Sequence, residues 1–231
     1  MRVLVREAGA SLYTISVTMF ITFLLLFHLS LPTRVAAQVN QALAADSAGA
    51  SETVLIPYRA EIERAAARES LPPALIAAVI QEESRFNPWA TRAEAQYLRS
   101  RSVRRESARF ARQHRLGPTA YTELLDRSRS YGLMQVMGET AREQGFTAPF
   151  LAELYVPANA IAHGAKLLAQ LLRRYHNDTL SAISAYNQGT ARMVRRGRYQ
   201  PAVFANARYV YRVAIAWRAY RTLFDAGVPT P

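Results

Sequence analysis

The stretch from Leu75 to Pro88, LIAAVIQEESRFNP, constrains this chain most. It reads as a helix that begins after Leu71-Pro72-Pro73, ends on a carboxylate and is stopped at Asn87-Pro88, because the residue before proline avoids the helical region. At ~100° per residue, Leu75, Ile76, Val79 and Ile80 share one face, and Glu83 falls near the middle of it. Glu82 lies roughly a quarter turn away, at the edge of the stripe. A carboxylate in an apolar stripe is unfavourable unless protonated or partnered. The helix C-terminus also disfavours negative charge. Both effects raise a carboxyl pKa, as a general acid near neutral pH requires. Taken alone, the stretch reads more simply as a solvated glutamate at a fraying helix end.

The rest of the chain reads as helices. One is expected from Pro57, in a first turn, to about Glu69, with Ile62 and Ala66 inward. From Ala90 to Arg129 two short helices are expected around the turn signal Gly117-Pro118, the second from Ala120 to Arg127, with Val103, Phe110 and Leu116 as apolar anchors. Further helices are expected over Glu139–Gln144, Pro157–Tyr175, Leu180–Asn187 and Ala202–Phe224. The second of these carries Ile161, Ala165, Leu168 and Leu172 on one face, and the last carries Tyr209, Val213, Ala216 and Tyr220. Strand-like alternation is nearly absent, so the expected class is mainly α with little or no β-sheet.

Residues 1–37 have the layout of a signal peptide. Arg2 and Arg6 precede an uncharged run from Ala8 to Thr33, and Val35-Ala36-Ala37 suits cleavage after Ala37. The competing reading is a retained anchor, since Leu12 to Leu31 is long enough to span a bilayer. Either way the remainder is expected to be exported, to the periplasm or the outer face of the inner membrane. Residues 38–53 read as a linker, 54–224 as the folded domain and 225–231 as a loose tail. The absence of cysteine excludes a disulfide scaffold and a thiol nucleophile. The net charge of +12 suits a polyanionic partner, and the seven arginines between Arg99 and Arg115 are its densest cluster.

Three signatures stand out: Glu83-Ser84 with Phe86-Asn87-Pro88, then Gly132-Leu133-Met134-Gln135, then Ala185-Tyr186-Asn187 followed by Gly189. With the late Tyr209-Val210 they resemble, in order and spacing, the soluble-type (SLT) lytic transglycosylases of the lysozyme-like superfamily. The resemblance runs from about Val54 to Tyr220 and implies a lysozyme-like, goose-type/SLT helical domain. It implies that Glu83 is the catalytic acid/base and that Ser84 helps hold the site. Met134 and Gln135 match residues lining the sugar groove. Tyr186 and Asn187 match residues near the carboxyl and the bound sugar, and Tyr209 a pocket tyrosine. Two features depart from many relatives: a long insertion, 95–129, between the first two motifs, and Gly138 where proline is common. Both are more like small enzymes of phages and mobile elements.

The resemblance further implies peptidoglycan glycan strands as substrate, no cofactor and a single-carboxylate reaction. The bond between N-acetylmuramic acid and N-acetylglucosamine is broken without water, leaving a 1,6-anhydro ring. No metal is expected: His114, His163 and His176 lack close ligand spacing. A lysozyme-type hydrolase would need a second acid, for which Glu82, Glu94 and Glu139 are the nearby candidates, each more simply paired with arginine. A non-catalytic wall-binding protein is the rival from another class, and a wall-spanning secretion or conjugation machine is a conceivable partner. No nucleic acid is expected, since charge is its only support. The arginine-rich region is expected to contact anionic wall or membrane components.

Overall fold

The computed structural model describes residues 55–189 and 204–226, with the backbone of two short paired strands, Val194–Arg195 and Arg198–Tyr199. The expected signal segment and linker, the start of the Ala202–Phe224 helix and residues 227–231 of the tail lie outside these described residues.

The fold is organised around α2, Pro73–Ser84, which follows α1, Arg59–Glu69. Pro73 occupies the first turn of α2, where its missing N–H breaks no intrahelical bond. Every residue from Ala74 to Ile80 is buried, so the helix is enclosed on all sides and not only along one stripe. Helix α9, Ala207–Asp225, packs along it most extensively. Helix α1 lies against α2 and α7, Pro157–Arg174, and α8, Thr179–Gln188, contacts α7 and α9. Ile161, Ala165 and Leu168 of α7 and Val213 of α9 are fully buried, as their spacing predicts. Helix α1 starts two residues later than expected, because Tyr58 adopts a left-handed conformation (φ 58°) that no helix interior accepts.

A small antiparallel sheet joins β1, Thr91–Ala93, β2, Arg129–Tyr131, and β3, Val136–Met137. Thr91 faces Tyr131 and Ala93 faces Arg129, so the insertion leaves and re-enters the domain on neighbouring strands. It folds as three helices: α3, Ala95–Leu98, α4, Arg101–Gln113, and α5, Ala120–Arg127. Ser100 and Thr119 cap α4 and α5 by accepting the backbone N–H of Val103 and Thr122. Val103 and Phe110 are buried, but Leu116 is not an anchor; it is 98% exposed. The turn closed by Gly117 N–H to the His114 carbonyl (2.8 Å) carries it outward.

The insertion is locked to the domain by a buried ion cluster. Glu123, wholly buried, accepts Arg127 Nε at 2.8 Å and Arg142 Nε and Nη2 at 2.8 and 3.0 Å. Arg127 also reaches Glu139 at 2.8 Å, and the Arg142 guanidinium lies 3.7 Å from the centre of the Phe110 ring. Arg142 and Glu139 belong to α6, Gly138–Glu143. The departure at Gly138 follows from this docking. A Cβ there would stand 2.4 Å from the Asp126 carbonyl oxygen, so the backbone of the inserted lobe occupies the space. After α6 a 3-10 helix, Leu151–Tyr155, puts Leu151 and Leu154 into the core; nothing in the sequence pattern marks it.

Candidate active site

Helix α2 delivers Glu83 in its last turn, and two consecutive left-handed residues, Arg85 (φ 52°) and Phe86 (φ 61°), then turn the chain away. The helix therefore ends before Asn87-Pro88. Arg85 N–H bonds the Gln81 carbonyl at 3.1 Å, the usual left-handed termination. Asn87 accepts the Trp89 N–H at 2.9 Å and fixes the turn beyond.

The Glu83 carboxyl is partly buried among apolar neighbours. Burial pushes it from the ordinary 4.5 up to about 7, and the Glu82 charge adds to this, while a hydrogen bond from Tyr209 and the positive charge of Arg92 oppose it. The Tyr209 hydroxyl donates to Glu83 Oε1 at 2.6 Å, bringing the fourth motif onto the first. The other motifs converge in the same way. Ser84 Oγ donates to the Leu133 carbonyl at 2.7 Å, tying α2 to the Gly132–Gln135 turn. The Tyr186 hydroxyl donates to the Met134 carbonyl at 2.8 Å, tying α8 to that turn. Tyr186 lies close enough to Glu83 for the carboxylate charge, together with burial, to push its phenol pKa upward.

A groove of about 1220 Å³ is lined by Arg92, Glu94, Tyr97 and Glu143, and by Tyr186 and Asn187 of α8. Glu83 is not itself a lining residue and adjoins the groove through Tyr186 and Arg92, both of which interact electrostatically with its carboxyl. Gln135 lines the groove too, but its amide is engaged internally. Nε2 donates to the Ala90 and Gly132 carbonyls at 2.9 and 3.0 Å, and Oε1 accepts Ser130 Oγ at 2.8 Å. Gln135 thus holds the turn in its left-handed conformation (φ 48°). Met134 departs from the expectation that it lines the groove. Its side chain is fully buried, seated over Gly164 of α7, and only its carbonyl serves the site. A Cβ at residue 164 would stand 2.4 Å from Met134 Sδ and 2.5 Å from its Cβ. Gly164→Ala is therefore expected to destabilise the fold by about 1–3 kcal/mol, readable in urea denaturation, and Met134→Ala in the same chain should recover part of the loss.

Four residues at the site escape sequence reasoning. Asn206 Nδ2 donates to the Ser184 carbonyl (3.1 Å) and Asn187 Oδ1 (3.0 Å), while its Oδ1 accepts Ser184 Oγ (2.6 Å). Because Asn187 accepts through its oxygen, its amide N–H₂ is left to the groove. Arg92 places a positive charge near Glu83, Arg212 pairs with Glu82, and Glu143 lines the groove without an ion pair among the described residues. Asn206 precedes Tyr209-Val210 by three residues, the one hint available; Arg92 and Arg212 are lost among many arginines, and Glu143 in an ordinary amphipathic helix.

The carboxylates nearest the motifs are engaged. Glu82 binds Arg212, Glu94 binds Arg92 at 2.7 Å, and Glu139 binds Arg127 at 2.8 Å. Glu139 is half-buried at the edge of the ion cluster. Of the histidines, His114 stacks on Phe110 and His163 meets Phe146 edge-on.

Comparison with known proteins bears on the family and the fold. Residues 60–207 match the model of the family described as the transglycosylase SLT domain. An X-ray structure of an inactive mutant of lytic transglycosylase Slt from Pseudomonas aeruginosa superposes with a TM-score of 0.51 at 20% identity, over 86% of this chain and 30% of that one. At this identity the likeness is one of fold. The chain spans about a third of the length of that larger protein.

Proposed function

This chain belongs to the transglycosylase SLT domain family, and from that premise we propose that it is a peptidoglycan lytic transglycosylase that leaves 1,6-anhydro-N-acetylmuramic acid ends. The observation that carries the reading is Glu83: a half-buried carboxyl beside a groove, with a pKa of about 7, held by Tyr209. At neutral pH such a group is protonated in a large fraction of molecules and can both give and take a proton.

In the proposed reaction the Glu83 proton goes to the glycosidic oxygen as the C1–O bond of N-acetylmuramic acid breaks. The resulting carboxylate takes the proton of the C6 hydroxyl while that oxygen bonds to C1. Glu83 ends protonated again and no water is consumed. Tyr209 orients the carboxyl and stabilises its charged form. The N-acetyl group of the substrate stabilises positive charge at C1, the task a second carboxylate performs in most glycosidases. Asn187 lines the groove, and its N–H₂ makes no hydrogen bond among the described residues, so it is suited to an acyl or hydroxyl oxygen of the strand.

The acid must be protonated in the free enzyme, so kcat/KM is expected to fall as pH rises through about 7. The Tyr209 hydrogen bond favours the charged form, so Tyr209→Phe should move this limb to higher pH as well as lowering the rate. A pH–rate profile of the two proteins checks the sign; an unmoved or lowered limb would separate Tyr209 from the carboxyl.

One observation favours a second reading, a lysozyme-type hydrolase. Glu143 faces the groove, and burial and the Glu139 charge raise its pKa. Glu143→Gln is expected to leave lysis within about threefold of the parent, since no charge of Glu143 is felt at Glu83. Loss of lysis together with reducing ends in the parent's products would favour the hydrolase. We also place the domain outside the inner membrane, on the strength of the basic start and apolar run of residues 1–37. No helix among the described residues is long and apolar enough to cross a membrane. N-terminal sequencing of the protein from cells distinguishes a chain starting after Ala37 from one retaining Met1.

A further inference from the structure

The inserted lobe has an outer surface that the chemistry at Glu83 does not use. Helix α4 turns Val103, Ser107 and Phe110 inward. At ~100° per residue, Arg101, Arg104, Arg105, Arg109 and Arg112 fall within an arc of about 140° centred opposite that buried face. All five are exposed. The one carboxylate of the helix, Glu106, sits beyond the edge of the arc and reaches Arg105 and Arg109 only at 3.7 and 3.6 Å. Arg101, Arg104 and Arg112 make no ion pair among the described residues; Arg104 bonds the Leu98 carbonyl through Nε. Beyond the helix end two apolar side chains stand exposed at the tip of the lobe. Leu116, in the turn after α4, is 98% exposed, and Tyr121, in the first turn of α5, is 69% exposed. Arg115 adjoins Leu116 and is exposed. The tip is presented on a rigid base, since α4 packs on α5 and Arg142 covers Phe110.

We propose that this face docks on the surface of an anionic lipid bilayer. The arginines meet lipid phosphates, while Leu116 and Tyr121 enter the boundary between headgroups and acyl chains. Charge alone suits any polyanion. The apolar tip decides for lipid: a hydrated wall polymer offers a leucine nothing to be buried in, whereas an interface takes up leucine and tyrosine beside a basic helix face. Docking would hold the groove over the layer of wall nearest the membrane. The inference does not depend on the role of Glu83, and Glu83→Gln should dock as the parent does.

The chain has no cysteine, so Leu116→Cys in the full-length protein takes a polarity-sensitive fluorophore at one place. Thr147→Cys, on an exposed loop residue, serves as the control label. With vesicles of phosphatidylglycerol and phosphatidylethanolamine the 116 label should shift to the blue and brighten. The shift should vanish in high salt and be absent with phosphatidylcholine vesicles, and the 147 label should not respond. Arg101→Gln, Arg105→Gln and Arg112→Gln together should weaken the response by roughly 100-fold in lipid concentration, about fivefold per arginine. A 116 label that stays in water while the protein sediments with anionic vesicles would overturn the proposal. So would a response to isolated sacculi and none to vesicles, which would assign the face to the wall.

Discussion

Glu83→Gln is expected to lower the cleavage of peptidoglycan strands by about 1,000-fold or more, the range in which a positioned general acid acts. Two proton transfers run through this one group in the proposed reaction, and an amide performs neither. The same substitution should leave the fold intact and raise its stability at neutral and alkaline pH. The sign follows from the direction of the shift. The folded protein holds the Glu83 proton up to about pH 7, whereas an unfolded chain releases it near 4.5. Between these values the native state binds more protons, so stability falls as pH rises. The contribution is fully present below pH 4.5 and lost by the time pH has passed about 7, amounting to about 3 kcal/mol. Glu83→Gln removes this fall. Urea denaturation at pH 4.5 and pH 8 should therefore show the variant gaining on the parent at the higher pH. A variant equally inactive but unfolded would leave the role of Glu83 unsupported by this experiment, which is why lysis and denaturation are read on the same protein.

The second large effect is expected at Glu123. Its carboxylate is buried and receives three N–H donors from Arg127 and Arg142. Glu123→Gln keeps the shape but removes the charge, leaving two buried guanidinium groups to share Glu139 and backbone carbonyls. Breaking one partner of such a cluster costs about 3–5 kcal/mol, because the remaining charge is stranded. For a domain of this size that lowers Tm by about 10 °C. The cluster joins α5 of the insertion to α6, which carries Glu143 on the groove. Loss of lysis is therefore expected to follow loss of the fold, and to recover at low temperature. A variant within 1 kcal/mol of the parent would mean that packing, and not the ion cluster, holds the lobe in place.

Much of the helical frame was legible because burial follows period. Ile161, Ala165 and Leu168 form one stripe and lie in the core, and Asp178 caps α8 through its carboxylate as a short polar residue before an apolar run should. The site residues came from the motif resemblance, not from periodicity. Spacing alone could not separate a catalytic Glu83 from a solvated one, since the burial that raises its pKa comes partly from α9, more than a hundred residues later. The strands were missed because two or three residues cannot display an alternation. Met134 escapes the sequence for a related reason: a turn of mixed apolar and polar residues does not reveal which side chain faces inward, and the space over Gly164 settles it. Hydrophobicity alone suggests an inward Leu116, and its exposure in a turn is what makes the tip of the lobe conspicuous.

The central claim, that one carboxyl performs a cleavage without water, is tested most directly in the products. Purified protein would digest sacculi in water enriched in heavy oxygen, and the muropeptides would be weighed by mass spectrometry. The expected result is N-acetylmuramic acid ends lighter by one water than a reducing end and free of solvent oxygen, absent with Glu83→Gln. Reducing ends carrying heavy oxygen would contradict the claim and make Glu83 the acid of a hydrolase.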